Sequence, residues 1–238
     1  MEEIIMEIRA GAGGDEAALF AGDLFKMYSK YAQNQNWGLT ILDSNQKETG
    51  GLQQVVFEIK GENVFEQLKN EAGVHRVQRV PKTEKGNRIH TSTASVAVLE
   101  KPKIEEITIN PNDIKMDFYK SSAKGGQNVN KRQTAIRITH IPTGITSTCQ
   151  TQRNLEQNKQ AALSFLQAKL NQMKKQQIQS KVTEQRRTQI GSADRAEKIR
   201  TYNFPQDRIT DHRIKKSFHN IEKIMEGKLD KMIKKLEN

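Results

Sequence analysis

Two glycines and a glutamine, Gly125, Gly126 and Gln127, stand together in a polar, basic stretch of the chain. Glycines reach backbone angles that other residues avoid, and without side chains they let a ligand approach the main chain closely. The glutamine amide is neither a usable base nor a nucleophile, so it would act through hydrogen bonds that hold a water or stabilise an oxyanion. Taken alone, this Gly-Gly-Gln triplet favours a plain flexible hairpin tip.

The surroundings of the triplet indicate a polyanionic ligand. Between Phe118 and Leu155 there is no aspartate or glutamate. The basic residues in that stretch are Lys120, Lys124, Lys131, Arg132, Arg137 and Arg153. Such cations suit phosphate groups. The alternating Ile136 and Ile138, followed by a turn at 142–144, predict a β-hairpin behind the triplet.

A second group of polar residues and glycines falls near the ends of predicted elements. Its members are Gly13, Glu16, Gln78, Pro81, Lys82, Thr83, His90 and Thr91. A hydroxyl can donate or accept a hydrogen bond, and an imidazole can stack on an unpaired base. Without further context these are ordinary loop and strand-end residues.

Composition limits the class of partner. The net charge is +11 and the pI is about 9.6, which favours nucleic acid over a membrane surface. No apolar run approaches the roughly 20 residues of a membrane span. The single cysteine, Cys149, excludes an internal disulfide, and no histidine has a metal-ligand spacing. We therefore expect a cytoplasmic monomer without metal or other cofactor.

Hydrophobic periodicity predicts an α+β protein. Strands are expected at 4–8, 39–42, 55–59, 74–80 and 93–99, with a helix over about 15–36 and a short one near 64–73. After the hairpin, a long helix is predicted over about 155–187. The apolar spacing between Phe218 and Leu236 predicts a last helix over about 214–236, which should dock on the first part of the chain. The predicted units are 1–110, 111–191 and 192–238.

Several long motifs resemble one protein family. The triplet with Asn128-Val129-Asn130 and the hairpin at 135–145 are similar to the catalytic domain of bacterial-type class I peptide chain release factors. The segments that resemble its codon-reading part are Arg9–Ala18, Gly73–Pro81, Ile199–Gln206 and Thr210–Arg213. The resemblance covers essentially the whole chain. It implies a sandwich-like α/β codon-reading superdomain, built from 1–110 with 192–238 packed on it, and a small-sheet, long-helix catalytic domain at 111–191.

The resemblance implies a role in translation termination. In the family the Gly-Gly-Gln loop enters the peptidyl-transferase centre, where the glutamine backbone N–H stabilises the transition state and the side chain excludes nucleophiles larger than water. That role maps onto Gln127, which would also be a site of N5-methylation by a glutamine methyltransferase. The implied partners are the rRNA of both ribosomal subunits, the mRNA stop codon and peptidyl-tRNA. Such a protein would promote ester hydrolysis only within the ribosome, not as a free-standing enzyme.

The resemblance also implies which codons are read. Pro81-Lys82-Thr83 is similar to the Pro-x-Thr tripeptide of the family members that read UAA and UAG, whereas the UAA and UGA readers have Ser-Pro-Phe. Thr83 would contact the first two bases, and His90 would stack near the second and third.

The remaining positions complete this implied reader. Gln78 and Thr91 match the positions that read the third base, and Gly13 and Glu16 those near the first uridine. Four neighbouring cations are interpreted as phosphate contacts, namely Arg76, Arg79, Lys85 and Arg88.

The segment before Gly191 matches the family's switch loop, which rearranges on codon recognition and directs the catalytic domain. The residues concerned are Arg187, Thr188, Gln189 and Ile190. Arginines there would also be favourably placed at a helix C-terminus, and the two interpretations are compatible.

The sequence departs from the family pattern in two ways. Ala123-Lys124 and Asn128 replace the usual Gly-Ala and His around the triplet, so activity is expected to differ there. The family's N-terminal helical domain is not in this chain, which fits a shortened piece or a short natural form. Two alternatives stay open: a codon-independent ribosome-rescue hydrolase and a non-catalytic ribosome-binding paralogue.

Overall fold

A computed structural model describes residues 1–47, 50–81, 87–102, 109–121, 132–191 and 195–236. The chain divides into two compact units. Unit 1 comprises 1–101 and 182–238, and unit 2 comprises 102–181. The predicted borders lay after residues 110 and 191, so both observed borders come about ten residues earlier in the chain. The functional names given to these parts stay predictions.

Runs of strands are interrupted by a few helices rather than alternating with them, as in an α+β fold. The strands are β1 (Glu2–Ala10), β2 (Gly38–Gln46), β3 (Leu52–Gly61), β4 (Gly73–Arg79), β5 (His90–Glu100), β6 (Ile114–Tyr119), β7 (Ala135–His140), β8 (Thr146–Cys149), β9 (Lys198–Asn203), β10 (Arg208–Asp211) and β11 (Lys216–His219). The helices are α1 (Asp15–Asn34), α2 (Val64–Leu68), α3 (Leu155–Ile190), α4 (Ile221–Met225) and α5 (Asp230–Ile233).

Unit 1 is built on an eight-stranded sheet in the order β11-β10-β9-β4-β5-β1-β3-β2. All neighbouring strands are antiparallel except β4 and β9, which are parallel. One face is apolar because alternate residues of β1, such as Ile4, Met6 and Ile8, point to the same side. Helix α1 covers that face with Phe20 and Leu24, both fully buried. The predicted α+β class is confirmed.

The C-terminal segment joins this sheet in a way that the sequence pattern did not predict. Strands β10 and β11 form a hairpin, and only the short helices α4 and α5 follow. The predicted continuous helix over 214–236 is therefore wrong. Gly227 interrupts it with a φ of 87°, and a Cβ there would lie 2.7 Å from the backbone nitrogen of Tyr31. The expected docking does occur, because Ile221, Leu229 and Met232 are buried in the same core as α1.

A buried ionic cluster ties the two parts of unit 1 together. The Arg200 guanidinium is fully buried and forms an ion pair with Glu71, with Nη2 lying 2.6 Å from Oε1. Arg200 Nε donates to Asp211 at 2.9 Å. The two carboxylates compensate the buried cation, so the segment of Glu71 is held to the β9–β10 hairpin that carries Arg200 and Asp211.

Unit 2 is smaller. Strands β6, β7 and β8 form an antiparallel sheet, with β7 in the middle. Helix α3 covers one face of this sheet. The buried core consists of Ile136, Ile138, Cys149, Ala162, Leu166 and Leu170. The predicted hairpin and long helix are present, and β6 adds a strand that the pattern did not indicate.

Candidate functional site: two separate polar assemblies

The glycine-rich turn after β1 is fixed against β5. Gly11 N–H donates to the Thr93 carbonyl at 2.8 Å, and Thr93 N–H donates to the Ala12 carbonyl at 2.9 Å. The Thr93 hydroxyl accepts from Ala12 N–H at 2.9 Å. The turn therefore extends the sheet pairing locally and holds Gly13 next to the strand that carries His90 and Thr91. Thr93 was missed by sequence reasoning, since a strand threonine is common and its partner is 81 residues away.

Gly13 is a position where only glycine fits. Its φ is 129°, and a Cβ there would lie 2.2 Å from the Ser92 hydroxyl oxygen. This contact brings the turn against the residue that follows Thr91. The turn that carries Gly13 and the start of β5 that carries Thr91 are therefore neighbours, a proximity that the sequence pattern did not predict.

Glu16 faces inward at the start of α1. Its carboxylate forms an ion pair with Arg79, which also donates to Asp23 Oδ2 at 2.8 Å. The Arg79 guanidinium lies over the Phe204 ring, 5.3 Å from the ring centre. Arg79 is thus engaged by two carboxylates within the protein, and its predicted contact with phosphate stays a prediction. Glu16 Oε2 is buried and accepts no hydrogen bond from the residues that the structure describes.

Gln78 and Thr91 face each other directly across the β4–β5 ladder. Both side chains are half-buried. The Gln78 side-chain oxygen accepts from Asn203 Nδ2 at 3.3 Å, and the Gln78 backbone carbonyl accepts from Phe204 N–H at 3.1 Å. Since its oxygen is engaged, the amide NH₂ of Gln78 is the end left for a ligand.

His90 is exposed and pairs with Arg79 in the ladder, one position beyond Thr91. Pro81 is buried at the end of β4. Lys82 and Thr83, with Lys85, lie outside the described residues. The structure therefore brings together Gly13, Glu16, Gln78, Thr91 and His90 where β4 ends and where β5 and α1 begin.

Two other predicted phosphate contacts, Arg76 and Arg88, lie within the described residues. Arg76 Nε donates to the Thr201 hydroxyl at 3.2 Å, and burial lowers the pKa of its guanidinium. Arg88 is exposed. Their predicted contact with phosphate stays a prediction.

The second assembly concerns the Gly-Gly-Gln triplet. Gly125, Gly126 and Gln127 lie outside the described residues, as do Ala123, Lys124 and Asn128. After the triplet, the described residues begin again at Arg132. Thr134, two positions later, is hydrogen-bonded to a side chain of α3.

That side chain is Asn158. Its fully buried amide donates to the Thr134 carbonyl at 2.8 Å and to the Gln152 carbonyl at 2.9 Å, while its oxygen accepts from Gln152 N–H at 2.9 Å. The Cys149 thiol donates to the same oxygen at 3.3 Å. One side chain therefore fixes both the entry to β7 and the exit from β8. Sequence reasoning missed Asn158; the only signal was an asparagine among apolar positions of a helix.

The predicted switch residues form the last turn of α3 rather than a loop. Gly191, with a φ of 58°, ends the helix by donating its N–H to the Arg187 carbonyl at 3.0 Å. Thr188 is exposed and bonds back to the Glu184 carbonyl. The conformational role of Arg187, Thr188, Gln189 and Ile190 stays a prediction.

Gln189 docks this helix end on the sheet of unit 1. Its amide accepts from Val98 N–H at 3.0 Å and donates to the Val98 carbonyl at 2.8 Å. The β4–β5 ladder begins at the pair Gly73 and Val96, so Val98 lies beyond the end of β4. Gln189 thus supplies the hydrogen bonds that a strand neighbour would make. This explains why unit 1 takes in the end of the helix.

A close charge pair adds to this docking. Arg186 Nε lies 2.7 Å from Glu7 Oε2, and Glu7 is almost fully buried in β1. The angle between the groups does not meet hydrogen-bond geometry, so we regard the contact as an ion pair only.

Burial and charge set unusual protonation behaviour beneath the reader. His75 is fully buried between the Tyr202 hydroxyl, 3.2 Å from Nδ1, and the Glu71 carbonyl, 2.9 Å from Nε2. Burial and the positive charge of Arg200 lower the pKa of His75 to about 4. Burial opposes ionisation of Glu71, but the charge and hydrogen bonds of Arg200 outweigh it and lower the pKa of that carboxyl.

Across the part of the chain that the structure describes, no group of three or more histidine, cysteine, aspartate or glutamate side chains could hold a metal ion. No helix within the described ranges combines the length and the apolar character that a bilayer span requires.

Two family models match the chain. The PCRF domain matches residues 1–96, and the RF-1 domain matches residues 102–213. The border between the two matches falls close to the border between unit 1 and unit 2.

Similarity to individual proteins extends over nearly the whole chain. Peptide chain release factor 1 of Thermotoga maritima is 51% identical over 235 residues, which cover 99% of this chain and 69% of that protein. The corresponding protein of Carboxydothermus hydrogenoformans is 53% identical over 232 residues, covering 98% of this chain and 65% of that protein. The chain belongs to the class I peptide chain release factor family.

Within that family these relatives carry the name release factor 1, and a solved structure carries the name release factor 2. That structure, from Thermus thermophilus, is 33% identical with a TM-score of 0.59, covering 98% of this chain and 66% of the other. The chain spans about two thirds of the length of the relatives that it matches.

Proposed function

We propose that this protein is a translation termination factor that recognises UAA and UAG in the ribosomal decoding site and triggers hydrolysis of the peptidyl-tRNA ester. The observation that carries the proposal is the direct pairing of Gln78 with Thr91 beside the bound Gly11–Gly14 turn. Its partners would be the rRNA of both subunits, the stop codon and peptidyl-tRNA, in the cytoplasm and as a monomer.

The chemistry of Gln78 and Thr91 suits a purine as third base. Adenine and guanine both present N7 as an acceptor, which pyrimidines lack. The Gln78 NH₂, oriented by Asn203, can donate to such an acceptor. The Thr91 hydroxyl can accept from the amino group of adenine or donate to the oxygen of guanine. Together they accept either purine, as reading of UAA and UAG demands.

The first and second bases of the codon would be recognised by the other predicted codon-reading residues. Thr83, in the Pro81-Lys82-Thr83 tripeptide, would contact the first two bases. His90 is exposed beside Thr91, and an imidazole in that position would stack on a splayed base. Gly13 and Glu16 would lie near the first uridine.

In the hydrolysis step, a water attacks the ester carbonyl, the bond to the tRNA ribose oxygen breaks, and that oxygen takes up a proton. The Gln127 backbone N–H would donate to the oxyanion that forms, and its side-chain amide would exclude larger nucleophiles. Removing one such donor costs roughly a hundred- to thousand-fold in rate. A glutamine methyltransferase would modify Gln127 at N5.

A peptide-release assay tests the proposal. Ribosomes carrying labelled peptidyl-tRNA are programmed with UAA, UAG, UGA or a sense codon. Release on UAA and UAG alone is expected. Equal release on the sense codon would contradict decoding and favour a rescue hydrolase, whereas binding without release on any codon would favour a non-catalytic paralogue.

Variants separate the two assemblies. Gly126→Ala or Gln127→Glu should abolish most release while leaving codon-dependent binding intact. Replacing Pro81-Lys82-Thr83 by Ser-Pro-Phe should weaken release on UAG specifically. Thr91→Val should reduce release on both UAA and UAG by roughly ten- to hundredfold through lost base recognition. Thr40→Val, on the far strand β2, is the matched control and should release normally.

A further inference from the structure

Strand β11 and the helices that follow it enclose a groove that the reader and the triplet do not use. One cavity of about 740 Å³ is lined by residues of β11, α4 and α5 with Asn34 of α1. A second, of about 580 Å³, adjoins it. Phe218 and Lys231 line both cavities, so the two are continuous. We call this continuous surface the C-terminal groove.

Six of the fourteen residues that line the C-terminal groove are lysines. They are Lys216, Lys223, Lys228, Lys231, Lys234 and Lys235, and all are exposed. Among the residues that the structure describes, five of the six form no ion pair, Lys234 being the one with a contact inside the protein. The one acidic lining residue in that described set is Asp230, whose carboxylate accepts from Gln35 Nε2 at 3.0 Å.

This concentration of charge is not balanced locally in sequence either. Residues 215–236 contain seven lysines and three acidic residues. Elsewhere in unit 1, exposed lysines are commonly paired, as Lys101 is with Glu3 and Glu58 at 2.9 Å. A concave surface lined by one sign of charge focuses the potential and attracts polyanions.

The groove also offers surfaces for a base. Phe218, which packs partly against the core, and the exposed His219 both line it. Cations that follow a phosphate backbone, combined with aromatic rings on which bases stack, are the pattern of single-stranded nucleic-acid binding. An acidic peptide would use the lysines but not the rings.

We propose that the C-terminal groove binds the phosphate backbone of an RNA segment, as a contact separate from the codon reader. In the sheet, β11 is separated from β4 by β10 and β9. At about 4.8 Å per strand, the groove lies at least ~14 Å from the strand that carries Gln78. The groove should therefore raise affinity for RNA without influencing which codon is read.

The first test measures binding of the full chain to a fluorescent single-stranded RNA 20-mer across a salt series. Each phosphate-contacting lysine that is removed should lower the slope of log affinity against log salt by about 1. Lys216→Gln/Lys231→Gln should thus lower the slope by about 2 relative to the unchanged chain. Lys26→Gln/Lys69→Gln removes the same charge elsewhere in unit 1 and should leave the slope unchanged. Equal slopes for the two double variants would overturn the proposal.

Further measurements distinguish the effect of charge from that of base stacking, and RNA from an acidic peptide as the ligand. Phe218→Leu should weaken RNA binding while keeping the salt slope, with circular dichroism confirming its fold. Tighter binding of a poly-glutamate peptide than of RNA at equal charge would overturn the RNA assignment. On ribosomes, the lysine variant should lose affinity equally at UAA and at a sense codon; a codon-specific loss would contradict separation from the reader. Because the RNA arm needs no ribosome, it stands even if peptide release fails.

Discussion

Units 1 and 2 solve the problem of positioning polar residues in different ways. In unit 1 the reader rests on a wide sheet whose segments, distant in sequence, are joined by the buried Glu71–Arg200–Asp211 cluster. Unit 2 has a three-stranded sheet with a small core. There one side chain, Asn158, holds the chain at both ends of the β7–β8 hairpin through hydrogen bonds to residues close in sequence. We therefore expect the geometry of the codon-reading residues to depend on the stability of the whole of unit 1, whereas the β7–β8 hairpin behind the triplet depends on the local hydrogen bonds of Asn158.

The largest expected effect is in the buried cluster. Arg200→Leu leaves the buried Glu71 carboxylate without its cation, while Asp211 keeps its ion pair with Arg213; the loss of the buried pair costs about 3–5 kcal/mol of unfolding free energy. The only tryptophan, Trp37, packs on Tyr31 inside unit 1, so its fluorescence in a denaturant series reports this unit. Arg208→Leu removes an exposed arginine from the neighbouring strand and should change the free energy by less than about 0.5 kcal/mol. A similar loss in both variants would mean that the cluster is not what joins the segments.

The second effect is a pH dependence confined to unit 1. His75 has a pKa of about 4 when folded and an ordinary value of 6.5 when unfolded, so the unfolded chain binds the extra proton between these pH values. The contribution of His75 to the free energy of unfolding is therefore complete above pH 6.5. It is lost as the pH drops toward 4, by about 3 kcal/mol in total. Glu71 and Asp211, whose carboxyl pKa values are lowered, add further loss below about pH 4.

The Trp37 transition measured between pH 7.5 and pH 4 checks this sign. His75→Gln should flatten the dependence, although His212, whose pKa is lowered by burial and by Lys198 and Arg76, leaves a smaller slope of the same sign. His140→Gln, in unit 2, should retain the full dependence. A stability that rises on acidification would contradict the assignment of a buried neutral His75.

The third effect isolates unit 2. Asn158→Ala leaves the Gln152 N–H and the Thr134 carbonyl without their partner, at a cost of about 2–3 kcal/mol. Hydrogen exchange in peptides covering β7 should become faster, while the Trp37 transition stays unchanged. If the local tie holds the triplet, release should fall as well. Ser164→Ala, an exposed position of the same helix, should affect neither; unchanged exchange in the Asn158 variant would refute the tie.

The smallest effect is expected where α3 enters unit 1. Gln189→Ala removes both hydrogen bonds to Val98, worth about 1–2 kcal/mol together. The Val98 amide should exchange about tenfold faster per 1.4 kcal/mol lost, as NMR can measure. Thr188→Ala, one residue earlier and exposed, should leave Val98 unaffected. Slow exchange at Val98 in both variants would show that another group protects it.

Sequence reasoning predicted most elements of unit 1, since strong apolar alternation and glycine-rich turns are local signals. The codon-reading role of Gln78, Thr91 and their neighbours stays a prediction. Sequence reasoning failed at the C-terminal segment, where the spacing of Phe218, Ile221 and Met225 imitated a helix. Phe218 lies in an edge strand, and the chain is turned at Gly227 by the close approach of α1. The ion pairs of Arg79 were not predicted either, because its partners Glu16 and Asp23 lie on another element.

The sequence by itself determined the α+β class, the family and the candidate residues, because motifs and periodicity are properties of neighbouring positions. Only the tertiary structure decided which polar residues are engaged within the protein and which face outward. It placed Arg79, Asn158 and Gln189 in internal contacts and set the half-buried Gln78 opposite Thr91 across the β4–β5 ladder. The physical reason is that burial and hydrogen bonding depend on residues 9 to 129 positions apart, which no local pattern records.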